Sequence, residues 1–417
     1  MRILYLHPKA WTGEHAILSE LVRMGHEVCV LEERRPGPKR QFAEWHRQPG
    51  DRIRTLWYDP SRGLLRLVTW LADRVFRRAF DGRNLVHRML VVAEAARHFQ
   101  PDAIVASDGF SYAIPAGFAK RLGLLSQCLL VTYIGGDILD CPEAEYGHRR
   151  TPMTDWIIRY SLVGVDVLRP VSPMLRTVLL EEGAASEKIH VLPSHLVADR
   201  PALAAVLAGR DGHRKGIRER YGLKPDAPLV VTLSMNQRGK GLYVLAQAWP
   251  QIVKAVPGAC WLLCGPEHPS LASDVWPVLD QAGVRNSIVA TGRLDGLDVF
   301  HHLCAGDLHV NPSLCEGLNM AVVEAAAVGT PTIGSDGAGV SYWISRFDAG
   351  KVVPRGQAAA LADAIIFALS NPERLRAWTL ALPALAEEFA LERIAVGLTD
   401  LLQGGLEQPH PISRARS

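Results

Sequence analysis

From Met1 to about residue 370, short apolar stretches rich in Val, Ile and Leu alternate with amphipathic helical stretches, and no other feature of the chain constrains its fold as much. Strands that are apolar on both faces can be buried only in a parallel sheet covered by helices on two sides. The fold class is therefore α/β. Residues 3–7 read as a strand, Gly13 and Glu14 open a helix that reaches Met24, and the turn at Gly25 and His26 leads into a strand at 27–31. Together they make one complete βαβ unit. Further strands are expected at 103–107, 128–134, 166–171 and 189–192.

Residues 198–222 are polar and rich in Gly and Arg, and the alternation restarts at Pro228. Strands are then expected at 229–233, 261–264, 287–290, 308–310, 332–334 and 351–353. The 417 residues are expected to divide accordingly into a first domain at 1–197, a linker at 198–222, a second domain at 223–385, a C-terminal helix at 386–405 and a tail at 406–417. The expected architecture is two Rossmann-like doubly wound domains facing a central cleft, because open α/β sheets bind ligands at the carboxyl ends of their strands.

With 48% hydrophobic and 21% charged residues, the chain is an ordinary globular protein and neither disordered nor fibrous. No apolar run approaches the 18 or so residues of a membrane span, and the first, at 3–6, stops at His7 and Pro8, so the expected location is cytoplasmic. Seven cysteines, an odd number spread over the whole chain, read as reduced, mostly buried thiols. Cys260 and Cys264 read as core residues rather than metal ligands, and no metal site is assigned. Net charge is +3, yet residues 34–88 hold fourteen Lys/Arg against five Asp/Glu, a local +9 that leaves −6 for the rest.

Between Gly317 and Ser335 the one charged residue is Glu324, in a helical stretch of Met, Val and Ala. A helix that is apolar all round is buried. A carboxylate within it needs a partner, either a basic side chain or the hydroxyls of a ligand. Glu316, eight residues earlier, could close a capping box with Ser313, but that would put Gly317 inside the helix at about 1 kcal/mol. A helix that starts after Gly317 leaves Glu316 in the preceding loop and turns the amides of Gly317, Leu318 and Asn319 toward phosphate or sugar oxygens.

A second loop, residues 234–241, follows an expected strand and precedes a helix, with Lys240 between Gly239 and Gly241. It lacks the first glycine and the Ser/Thr of a Walker A loop, so an NTPase is not indicated, although Lys240 can still approach a diphosphate. Taken alone, Lys240 reads as an exposed loop lysine, and only its strand-loop-helix context puts the functional reading level with that one. The first loop, 7–15, has a single glycine and no G-x-G-x-x-G, which counts against a dinucleotide-binding dehydrogenase. The chain also has no G-x-S-x-G, H-E-x-x-H or Asp-x-Asp. His15, His148 and His195 read as satisfied polar residues.

Pro312-Ser313-x-x-Glu316-Gly317, with Glu324 completing Glu-x7-Glu, then Gly329-x-Pro331 and Gly350-Lys-Val-Val-Pro354, resembles the retaining glycosyltransferases of family 4, which have the GT-B fold. The likeness extends over most of the chain, with weaker carriers at 25–28, 135–137, 171–172 and 188–193. It implies that Glu316 contacts donor-sugar hydroxyls, that Glu324 holds the ribose, and that Lys240 neutralises the diphosphate. It further implies that Gly317, Leu318 and Asn319 offer amides, that Thr12 and Gly13 approach the diphosphate from the first domain, and that Gly136 and Asp137 mark the acceptor side. The chain departs from the family at Ser234-Met235, where Gly-Arg is usual, and Arg238 stands in the same loop as the substitute. It departs again at 194–197, at Ile134 and at Tyr342.

The implied activity is metal-independent sugar transfer, with retention, from a nucleotide diphosphate sugar such as a UDP- or GDP-sugar to a hydroxyl of a glycan, lipid or small molecule, with no cofactor. A nucleotide-sugar epimerase on the same fold and a degenerate binding or scaffold protein remain as alternatives. Within the basic segment, Leu64, Leu67, Val68, Leu71, Val75 and Phe76 recur at helical spacing beside Arg66, Arg74, Arg77 and Arg78. This amphipathic basic helix either docks on an anionic membrane surface or packs its stripe on the first domain. No nucleic-acid module is visible, so nucleic acid is not an expected partner.

Overall fold

A computed structural model describes residues 1–7, 12–33, 53–58, 64–80, 82–149, 151–198 and 200–407. The expected tail from 408 on and most of the basic segment outside its helix lie outside the described residues. The chain divides into two compact units, one of Met1–Asp140, Gly147–Val197 and the chain from Leu391 on, the other of Cys141–Tyr146 and Ala198–Ala390.

The first unit holds a six-stranded sheet of β1 (Arg2–His7), β2 (Glu27–Glu33), β3 (Arg54–Tyr58), β4 (Ala103–Ala106), β5 (Cys128–Tyr133) and β6 (Val167–Pro170), in the order β3-β2-β1-β4-β5-β6. Every pairing is parallel. The second unit repeats the plan with β7 (Leu229–Leu233), β8 (Cys260–Cys264), β9 (Ile288–Gly292), β10 (Leu308–Asn311), β11 (Thr332–Ser335) and β12 (Gly350–Val353), in the order β12-β11-β10-β7-β8-β9. These pairings are parallel too. Read from its own first strand, the second sheet has the same doubly wound order as the first. In both, the order reverses between the first and fourth strands, β1 and β4 in one and β7 and β10 in the other. Loops leaving the carboxyl ends of such a pair diverge to opposite faces and leave a crevice.

Four expectations need correction. The sixth strand of the first sheet is β3, drawn from the Arg-rich segment, and not residues 189–192. The latter run beside β6 with one isolated bridge, Leu168 with Ile189, and backbone bonds from His190 N–H to Leu168 O at 2.9 Å and from Leu192 N–H to Pro170 O at 3.2 Å. Beyond it, the buried Arg169 takes the carbonyls of Leu192 at 3.1 Å and Pro193 at 2.6 Å.

Residues 198–222 are not a structureless linker. They fold as helices Arg200–Ala208 and Arg210–Arg220 within the second unit. Their arginines are partners for carbonyls at helix ends: Arg210 donates to Val328 O and Gly329 O, and Arg218 to Ala305 O. Cations at the negative end of a helix are stabilising, a role that Arg- and Gly-rich composition does not announce.

The last helix spans Leu391–Glu407 and belongs to the first unit, where Ile394, Leu398 and Leu402 are fully buried with Ile3, Leu18, Leu21 and Val28. At roughly 1.5–3 kcal/mol per buried aliphatic side chain, these three contribute several kcal/mol to its docking. Finally, Cys141 and Cys315 are not thiols but a disulfide across 174 residues. Sequence spacing carries no trace of that pairing, which exists only because the Cys141–Tyr146 segment folds into the second unit.

Candidate functional site

In the second unit the β7 loop is built on Asn236, a left-handed residue at φ 58°, whose amide group is buried and donates to Pro266 O at 2.8 Å. One turn at Arg238–Lys240 follows, and then Gly241 at φ 67° starts the helix Leu242–Ala255. A Cβ on Gly241 would stand 2.0 Å from Pro312 O, so glycine there answers both a left-handed backbone and the closeness of the β10 loop. Leu314 N–H donates to Gly239 O at 2.9 Å and ties the two loops together. Lys240 and Glu316 thus meet because their strands flank the point where the sheet order reverses.

Lys240 Nζ forms an ion pair with Glu316 Oε1, and both side chains are mostly buried. Glu316 Oε2 accepts from Asn319 Nδ2 at 2.6 Å and lies 3.1 Å from Ser313 Oγ. Asn311 Oδ1 lies 2.7 Å from Ser313 Oγ and 2.9 Å from Asn319 Nδ2. Backbone bonds from Glu316 N–H to Gly337 O and from Gly339 N–H to Glu316 O fix the residue at both ends. The helix Met320–Ala327 begins one turn past Glu316. Its cap is Asn319, at φ 93°, whose Oδ1 accepts from Val322 N–H at 3.4 Å. Glu316 is therefore a loop residue as expected, and Ser313 caps nothing. Gly317 and Leu318 lie between it and the helix, with Leu318 O accepting from Val340 N–H.

Glu324 sits in that helix largely buried, with no hydrogen bond or ion pair among the described residues. Burial alone pushes its carboxyl up to about 7. The basic-partner reading of Glu324 finds no support. Arg238 is half-exposed, its Nε 3.9 Å from Asp274 Oδ2, and Met235 is exposed.

In the first unit, helix Thr12–Arg23 follows β1, and Gly13 O accepts from His195 Nε2 at 2.8 Å. Burial holds His195 down to about 4, so the ring is neutral with its proton on Nε2. A Cβ on Gly13 would stand 2.8 Å from Val197 Cγ2. The next residue, Glu14, accepts from the Tyr5 hydroxyl, and burial raises its carboxyl. Sequence reasoning passed over Glu14, although an acid in the first turn beside a loop was the signal available.

Asp137 is buried and accepts from Gly109 N–H at 2.8 Å, Ile134 N–H at 2.9 Å and Gly135 N–H at 2.8 Å. Burial raises it to about 6 in spite of those bonds. Oδ2 takes two of these amides and Oδ1 one, so Asp137 shapes the loop after β5. Gly136 O accepts from His148 N–H at 2.9 Å, and the His148 ring stacks on Phe110 with centroids 4.3 Å apart. His195 is a satisfied polar residue, as its sequence context suggested.

Two family signatures match the chain: residues 227–371 fit the family described as "Glycosyl transferases group 1", and residues 11–195 the "Glycosyl transferase 4-like domain". The chain belongs to the group 1 glycosyltransferases. This glycosyltransferase is 24% identical to a protein of Salmonella typhimurium named as the colanic acid biosynthesis glycosyltransferase WcaL, over 93% of this chain and 94% of that one. It is 26% identical to a GDP-mannose-dependent phosphatidylinositol monomannoside mannosyltransferase of Mycobacterium tuberculosis, over 69% of this chain and 74% of that one. Among solved structures, Anabaena HepE in complex with UDP superimposes with a TM-score of 0.73 at 16% identity, covering 97% of this chain and all of that one. WaaG, a lipopolysaccharide glycosyltransferase, superimposes with a TM-score of 0.65 at 15% identity, covering 96% of this chain and all of that one. The fold of this glycosyltransferase is GT-B, with both parallel sheets present in full.

Proposed function

We propose that this glycosyltransferase moves a sugar, with retention, from a nucleotide diphosphate sugar to an acceptor hydroxyl without a metal ion. The observation that carries the reading is Glu324, a largely buried carboxylate with no hydrogen-bond or ion-pair partner among the described residues, in the helix that follows the loop holding Glu316 against Lys240. Two ribose hydroxyls would donate to the Glu324 carboxylate. Lys240 would meet the charge that grows on the leaving diphosphate, with Arg238 and the amides of Gly317, Leu318 and Asn319 beside it. Glu316 would accept from sugar hydroxyls.

No protein nucleophile is required. The bond from the anomeric carbon to the diphosphate breaks, the acceptor oxygen takes its place on the same face, and the leaving diphosphate receives the acceptor's proton. Positioning and fixed charge then supply most of the rate. Relatives and neighbours whose names carry UDP and GDP-mannose support a nucleotide-sugar donor and leave both bases in play.

The acceptor we infer is a glycan or lipid at an anionic membrane face, reached by peripheral docking. No helix among the described residues is long and apolar enough to cross a membrane. Helix Leu64–Phe76 turns Thr69 and Asp73 inward, where Asp73 Oδ1 accepts from Val86 N–H at 2.7 Å. It leaves Trp70, Leu71 and Val75 half or more exposed beside Arg74. The side chains of 64–68 lie outside the described residues. Exposed apolar residues beside cations suit an interface with anionic lipid.

A thermal-shift screen of UDP, GDP, ADP and their sugars in EDTA tests the donor reading, since a ligand of the native state raises its melting temperature. A shift with one nucleotide family, and turnover that survives EDTA, are expected. No shift with any, or turnover that returns only with magnesium or manganese, refutes it.

A further inference from the structure

Cys141 and Cys315 are both buried in their disulfide. Among the described residues the other five cysteines stay thiols, four of them buried. Burial pushes Cys29 up to about 11 and Cys128 and Cys264 up to about 12, so these three form little thiolate near neutral pH and exchange slowly. The bonded pair is buried as well, and what sets it apart is its place: Cys315 directly precedes Glu316.

On either side of Cys315 the loop is pinned by Leu314 N–H to Gly239 O and Glu316 N–H to Gly337 O, and Arg355 Nη1 donates to Leu314 O at 3.1 Å. Cys141 opens the six-residue segment Cys141–Tyr146, which closes on itself through Cys141 N–H to Tyr146 O at 3.0 Å and Tyr146 N–H to Cys141 O at 3.1 Å. Its Ala144 carbonyl is so near Gly239 that a Cβ there would stand 3.0 Å away. The segment therefore rests on the two loops that carry Lys240 and Glu316, and the disulfide is the covalent bond that keeps it there.

We propose that Cys141 and Cys315 are a thiol–disulfide exchange site, at which a dithiol reductant loosens the Glu316 loop and lowers affinity for the nucleotide sugar. The second half of this statement rests on the donor site proposed above. In the exchange, a reductant thiolate attacks one sulfur, breaks the S–S bond and forms a mixed disulfide. The reductant's second thiol then releases both cysteines as thiols and leaves the reductant as a disulfide, so two electrons and two protons pass to the pair. A disulfide oxidant such as glutathione disulfide runs the reverse and departs as two thiols. Once reduced, the segment keeps only non-covalent contacts, and local opening of the loops it covers becomes more frequent.

The test uses the full chain treated with glutathione disulfide or with dithiothreitol. Thiols counted in denaturant are five in the first sample and seven in the second. Amide hydrogen exchange at 239–241 and 313–319, measured with no nucleotide present, is expected to be about tenfold faster after reduction. The dissociation constant for UDP or GDP is expected to rise several-fold. Cys141→Ser and Cys315→Ser each reproduce the reduced state and ignore dithiothreitol, while Cys260→Ser keeps the response. Seven thiols in the oxidised sample, or equal exchange in the two states, overturns the proposal, and so does altered exchange with unaltered nucleotide affinity. If neither state binds any nucleotide, the donor site fails, and the exchange rates still decide whether the pair governs the loop.

Discussion

Glu324→Gln separates what a buried carboxylate does for stability from what it does for turnover. Burial lifts the carboxyl from its ordinary 4.5 to about 7. The folded value lies above the unfolded one, so the stability this group contributes is fully present below pH 4.5 and is lost as pH rises through 7. A difference of about 2.5 pH units at 1.36 kcal/mol each makes that loss about 3 kcal/mol. Glutamine has the same shape and never ionises. The variant should therefore match the parent at pH 4.5 and exceed it by about 3 kcal/mol at pH 8, or about 6–12 °C in melting temperature for a unit of roughly 200 residues. Urea unfolding at pH 4.5, 6 and 8, followed by the fluorescence of Trp249 and Trp261 in the second unit, measures it. At the same time an amide replaces the acceptor of ribose hydroxyls, and kcat/KM for the donor should fall about 10–100-fold, the loss of one charged hydrogen bond. A variant no more stable at pH 8 would show that the carboxylate has an ionic partner. Native turnover would remove Glu324 from the donor site.

Lys240→Ala removes the cation facing the diphosphate and should weaken UDP or GDP binding about 10–100-fold by calorimetry; unchanged affinity sinks that role. Gly241→Ala must hold a non-glycine residue at φ 67° with its Cβ 2.0 Å from Pro312 O. It should destabilise the protein by about 2–4 kcal/mol, read by denaturant midpoint, and a neutral result contradicts the loop packing. Liposome co-sedimentation should show binding to anionic vesicles that falls with salt and with Leu71→Ser plus Val75→Ser. Equal partitioning to neutral vesicles, or none to either, leaves the helix as ordinary domain surface and the acceptor as soluble.

Much of this was legible in the amino-acid sequence. Apolar period and turn residues are properties of a few neighbouring positions, and they placed eleven of the twelve strands among the described residues. The same local logic put Glu316 in a loop, because Gly317 does not suit a helix interior, and marked Glu324 as a charge with nothing nearby in sequence to neutralise it. The missed strand, Arg54–Tyr58, is a sheet edge. Its exposed arginine hides the alternation, and only pairing with β2 makes it a strand.

Other features are decided by partners far away along the chain. Residues 198–222 look like a linker until Arg210, Arg214 and Arg218 find carbonyls and Asp307 about 90–120 positions on. Asp137 is held by the amides of Gly109, Ile134 and Gly135, the first of them 28 positions away. The last helix adjoins the second sheet in sequence and packs in the first unit. Lys240 with Glu316, Gly13 with His195, and Cys141 with Cys315 are likewise tertiary facts. The sequence determined each element and the chemistry it carries, because propensity and periodicity act over a few residues. Which elements meet was decided by the sheet order and the closed core, since a contact between distant residues has no local signal and is chosen by the packing of the whole unit.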